Sequence, residues 1–192
     1  IVQQIQALDV DTIRVHIDSY GGAVSEGWAI YNALREHPAK IVTFGDGFVA
    51  SAALYPFMAG DERYASNLSA YFFHQVITGA SGYASDLRAA ADEADVLTEI
   101  GMAAFTERAG MSEDTVRQLM ENETWLSPQQ ALEHGVATAI VSDATPKLQQ
   151  NVKKMILQQF TGQSDLPPAA PAPEIPETKP ETKPNIMQLF KL

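Results

Sequence analysis

The chain has 192 residues, 45% of them hydrophobic, and carries 24 acidic against 13 Lys and Arg side chains, a net charge of −11. So acidic a chain argues against a phosphate-tracking surface, because nucleic-acid binders carry a basic stripe. The absence of cysteine excludes disulfides, thiol catalysis and cysteine-held metals and fits a reducing compartment, and no run approaches the roughly 20 apolar residues of a membrane span.

In chain order, Ile1, Val2, Ile5 and Leu8 have helical spacing. They open the chain without Met and are neither basic nor long enough for a secretory signal, so a start further upstream is expected. Thr12 to Asp18 alternates, with Ile13, Val15 and Ile17 on one face, and predicts a strand. After Gly21-Gly22 a helix is predicted from Val24 to Glu36, ended by Pro38. Lys40 to Phe44 reads as a second strand, Ser51 to Ala59 as a buried helix and Tyr71 to His74 as a third strand. A long alanine-rich helix follows from Ala84 to Ala109, closed by Gly110, and Ser112 caps a short helix to Met120. Ser127-Pro128-Gln129-Gln130 is a capping box with proline at the first helical position, and Gly135 is a left-handed stop before a last strand, Val136 to Val141.

This rhythm argues for a mostly parallel sheet with packed helices, a domain over residues 1–143. Within 144–163, Lys147 to Phe160 has the spacing of a short amphipathic helix. Residues 164–192 are expected to be a linker with a short apolar end. From Ser164 to Pro184 the chain is mainly Pro, Ala, Glu, Thr and Lys with a repeated Glu-Thr-Lys-Pro, too polar to offset the entropy of ordering. Ile186, Met187, Leu189, Phe190 and Leu192 then restore apolar character, expected as a docking peptide or as a remnant of a longer, truncated region.

Three short signatures carry chemistry. Gly21-Gly22 follows the first strand, Ser51 sits among Val49, Ala50, Ala52 and Ala53, and His74 leaves the aromatic run Tyr71-Phe72-Phe73. A serine hydroxyl needs a nearby base and oxyanion donors to act as a nucleophile. A serine opening a buried helix has that helix's free N–H groups at hand, and glycine leaves a main-chain N–H unobstructed. Taken singly, such a serine is most often an N-cap and such a histidine structural. His16, His37 and His134 read as structural, and Asp92, Glu93 and Asp95 as a solvated helix face. No spacing suggests a metal site.

Together, Asp-Ser-Tyr-Gly-Gly-Ala-Val, Phe-Val-Ala-Ser-Ala-Ala, Phe-Phe-His-Gln and Trp125-Leu126-Ser127 through Glu133-His134-Gly135 resemble the ClpP peptidase family. The resemblance spans Asp11 to Val141 and looks most like the ClpP-like head-maturation proteases of tailed phages and prophages. It implies an α/β subunit built as a ClpP/crotonase-like spiral of β-β-α units. The Ala84–Ala109 helix would protrude as a handle between rings, active sites would face a chamber, and no cofactor is needed. It places the nucleophile at Ser51, the general base at His74 and the oxyanion donors at the Gly22 and Ala52 amides. The third triad member falls at Glu123, where the family has Asp, with Glu121 as the fallback. Substrate backbone would run between Gly21, Ala23 and Val24 on one side and a strand of Gln75, Val76 and Ile77 on the other. The expected function is a serine endopeptidase of the host cytoplasm, forming a homo-oligomeric ring and cutting phage scaffold and capsid precursors. The alternatives are a ClpP-type housekeeping subunit fed by an AAA+ unfoldase, a crotonase-fold acyl-CoA enzyme and a non-catalytic assembly module. Neither nucleic acid nor membrane is an expected partner.

Overall fold

One long strand organises the computed structural model, which describes residues 1–141. β1 (Thr12–Ser19) buries Ile13 and Ile17 and leaves Arg14, His16 and Asp18 outside. It runs parallel to β2 (Lys40–Ala50), from Thr12 opposite Lys40 to Ile17 opposite Gly45. Between Ile17 and Ser19 the register slips, so that Ser19 stands opposite Val49, and the chain of β2 passes through Gly45, Asp46 and Gly47 instead of turning there. The predicted strand stopped at Phe44. The extension is held by the Phe48 N–H, which donates to Asp18 Oδ1 at 2.9 Å.

The length of β2 lets it serve two neighbours on one side. Its first half pairs in parallel with β3 (Glu62–Ser66), Val42 opposite Glu62. Its second half pairs in parallel with β4 (Ala70–Phe72), Ala50 opposite Phe72. β6 (Ala139–Val141) adds in parallel to β3, and β5 (Trp125–Leu126) adds antiparallel to β4. This is the expected α/β arrangement of a curled, mostly parallel sheet. β3 and β5 are elements the sequence reading did not contain. β3 escaped because its inward residues are Arg63 and Ala65, not an apolar alternation. The last strand begins at Ala139, after a turn at Val136 to Thr138 in which the Thr138 N–H donates to the Arg63 carbonyl at 2.8 Å.

Helices cover the sheet. α1 is Val2–Gln6, α2 Val24–Glu36, α3 Leu54–Met58, α4 Ala84–Ala109, α5 Glu113–Glu121 and α6 Pro128–Glu133. α4 has the predicted bounds and ends on Gly110 at φ 69°, a left-handed stop that glycine adopts without a Cβ clash. Ser127 caps α6 through the expected box with Gln130. The core joins both layers through Phe57, Tyr71, Phe73 and Phe105, each fully buried. Burying one such ring contributes about 1.5–3 kcal/mol. Tyr71 sits so deep that burial pushes its phenol up to about 12. The helix, linker and apolar end expected beyond Asp143 lie outside the described residues. Among those described, no helix is long and apolar enough to cross a membrane.

Candidate active site

The end of β2 and the end of β4 bring Ser51 and His74 together. Ala50 and Phe72 are paired in register, so the residues that follow them emerge side by side. Ser51 opens a single 3-10 turn (Ser51–Ala53) that runs into α3. His74 Nε2 and Ser51 Oγ are 2.7 Å apart. Ser51 has φ 57°, a left-handed conformation that costs a non-glycine residue about 1–2 kcal/mol. Strain of this kind, held by surrounding structure, clusters at functional sites.

The turn after β1 supports that conformation. At Gly21, φ 97°, an added Cβ would stand 2.6 Å from the Ala50 carbonyl oxygen and 2.9 Å from the Ala52 nitrogen. Gly21 therefore packs behind the serine, and it does not line the cleft. Gly22, Ala23 and Val24 do line it, together with Gln75, Val76 and Ile77 opposite. The cavity holds about 430 Å³ and is closed by Leu54, Tyr55, Phe105 and Met120. Ala52, second residue of its turn, belongs to the positions whose N–H groups lack an intrahelical acceptor, and both it and Gly22 lie on the cavity wall.

Gln75 to Ile77 form no ladder within the described residues, so the strand expected there has no partner among them. β4 ends at Phe72, and the last pairing bond runs from the Phe73 N–H to the Thr124 carbonyl at 2.9 Å. The Val76 N–H is already committed, donating to Thr98 Oγ1 of α4 at 3.0 Å, while that hydroxyl donates to the Ala94 carbonyl at 2.8 Å. Sequence reasoning missed Thr98, because nothing in a helix-interior threonine announces a partner 22 positions earlier.

Glu123 follows α5 at φ 48° and is exposed. Its neighbour Thr124 accepts from the Phe73 N–H at 2.9 Å, so the backbone after Glu123 runs beside the residue that precedes His74. Among the described residues His74 Nδ1 is buried without a hydrogen-bond partner, so neither Glu123 nor Glu121, exposed at the end of α5, is bonded to it. The remaining histidines lie elsewhere. His16 pairs with Asp46 at 2.8 Å and stacks on Phe44, His37 meets the Leu8 carbonyl at 3.1 Å, and His134 caps α6. Among the described residues no group of three or more His, Asp or Glu side chains is placed to hold a metal.

A long strand ending in a strained serine beside a histidine, on a sheet curled through two half-partners, matches the ClpP-like α/β fold. A solved structure of a ClpP1 point mutant from Listeria monocytogenes superposes with a TM-score of 0.65 at 22% identity, over 74% of this chain and 81% of that one. The chain belongs to the Clp protease family, a family of serine-type peptidases, whose model matches residues 1–144. Similar relatives include the ATP-dependent Clp protease proteolytic subunit 2 of Treponema pallidum (strain Nichols), 33% identical over 67% of this chain and 66% of that protein. Proteolytic subunit 1 of Prochlorococcus marinus (strain MIT 9312) is 31% identical over 75% of each.

Proposed function

We propose that this chain is a Clp-type serine endopeptidase subunit in which Ser51 attacks the scissile carbonyl and His74 Nε2 takes the hydroxyl proton. The observation that carries the reading is the 2.7 Å separation of those two atoms. His74 then returns the proton to the leaving amine, and water hydrolyses the acyl-enzyme by the same relay. The Gly22 and Ala52 amides hold the tetrahedral oxyanion. Gln75 and Ile77 pair with substrate main chain opposite Gly22 to Val24, a mode in which main-chain bonds give affinity and side-chain pockets give specificity. Glu123 orients the imidazole by turning its carboxylate onto Nδ1, whose burial without a partner favours that closure; Glu121 is the next candidate.

The relatives' description as proteolytic subunits of an ATP-dependent protease supports a ring fed by an ATP-driven unfoldase. Exposed Leu87, Val96 and Ile100 on α4 support ring-to-ring contact along that helix. A second reading, cleavage of phage scaffold and capsid precursors without an unfoldase, is favoured by Glu123 in place of the family's Asp and by the Glu-Thr-Lys-Pro repeat. A serine-reactive fluorophosphonate should label the protein, and Ser51→Ala and His74→Ala should each abolish labelling. An unlabelled wild type would overturn the peptidase. Digestion of a capsid precursor without ATP would select the phage reading, and digestion only with unfoldase and ATP the first.

A further inference from the structure

Four rings stand in a row on the surface next to the Ser51–His74 pair. The Phe72 ring lies 5.3 Å from that of His74 and stacks on Trp125 at 4.5 Å with 24° between planes. Trp125 meets Phe48 edge-on at 5.6 Å, and Phe48 meets Tyr20 at 4.9 Å. The core does not need them, since it is filled by other rings. Tyr20 is 74% exposed, Trp125 46% and Phe48 39%. Stacked aromatic surface left in water marks a place where something apolar and flat is received. Tyr20, Phe72 and Trp125 also line the cavity that holds Ser51 and His74, so the row is a continuation of the cleft.

Its side of the cleft is fixed by proton transfer. In the peptidase reading, on which this inference rests, the imidazole hands its proton to the leaving amine. The first substrate residue after the scissile bond therefore lies against His74, and the ring adjoining His74 is Phe72. We propose that Phe72 and Trp125, extended by Phe48 and Tyr20, form the leaving-side subsite and select substrates with an aromatic side chain directly after the cleaved bond. The residue stacks on Trp125 as it enters, which holds the amine beneath the imidazole.

Two quenched-fluorescence peptides, identical except for Phe or Ala after the scissile bond, test this with the full-length protein, the cut being located by mass spectrometry. Loss of one apolar contact costs about 10- to 200-fold in specificity, so at least a tenfold preference in kcat/KM for Phe is expected. Trp125→Ala should bring the ratio near one, and Trp125→Phe should restore it. Tyr20→Ala, on an exposed loop, should lower the ratio several-fold, and it keeps the test intact if Trp125→Ala does not fold. Equal wild-type rates on both peptides overturn the subsite and leave the peptidase standing. Cleavage of neither, with no fluorophosphonate label, overturns both. If Trp125→Ala keeps the ratio but changes the mass of the assembly, the row is a subunit contact and the proposal falls.

Discussion

At the scale of single residues, the cleft depends on groups that are individually unremarkable in the sequence. Ser51 and His74 stood out not singly but through the four motifs in register that carry the family resemblance, and the paired register of Ala50 and Phe72 turns 23 positions of separation into a 2.7 Å contact. Sequence position nominates Glu123 and Glu121 for His74 Nδ1, but a contact there depends on a side-chain torsion that spacing does not fix. Replacing Glu123 by Gln keeps its size and removes its charge. Peptide hydrolysis should slow by about 100-fold, the low end of the range for a positioned acid–base group. The thermal midpoint should be unchanged, and an unaltered rate would move the orienting role to Glu121 or to no carboxylate. Thr98→Val keeps the shape and removes the acceptor of the Val76 N–H. A buried amide left unsatisfied costs about 1–3 kcal/mol. Amide exchange at Val76 should quicken and KM should rise several-fold with kcat changed less, while Thr98→Ser should restore both.

Among elements, periodicity and chain punctuation were read well and charged strands were not. The 26 residues of α4 announce themselves by alanine content and a terminal glycine, and α6 by its capping box. β3 hides behind Arg63, whose buried guanidinium donates to four carbonyls. Nε donates to the Val136 carbonyl at 2.8 Å, Nη1 to Gly60 at 2.9 Å, and Nη2 to Arg108 and Gly135 at 3.0 Å each. Burial, with Arg108 nearby, lowers the Arg63 guanidinium to about 10, still charged at neutral pH. It ties β3 to the ends of α4 and α6, so a surface-like letter performs a core task. Arg63→Lys offers a single ammonium where a planar fork reached four carbonyls. Leaving two or more of them unpaired should cost about 2–4 kcal/mol, read as a lower urea midpoint with the same slope.

For the whole molecule, Asp61 joins three layers. It accepts from Arg35 of α2 at 2.7 Å, from the Ile41 N–H of β2 at 3.0 Å and from Arg108 of α4 at 3.3 Å. Partial burial raises its pKa, but the Ile41 amide and the two guanidinium groups together outweigh that and hold the carboxyl below the usual range. The folded state thus binds this proton less readily than the unfolded one. Its contribution is complete above the ordinary aspartate range and disappears as pH falls through the depressed folded value. Unfolding midpoints measured through the acid range should fall less steeply for Asp61→Asn than for the wild type, and that variant should be the less stable of the two at neutral pH. The late position of β5 has a consequence for synthesis. Ser51 and His74 are translated before the Trp125–Leu126 segment that closes the edge of β4, which emerges some fifty codons after His74. A ribosome-bound chain lacks that wall until then, so the cleft around Ser51 and His74, which Trp125 helps to line, stays incomplete until most of the described domain has been made.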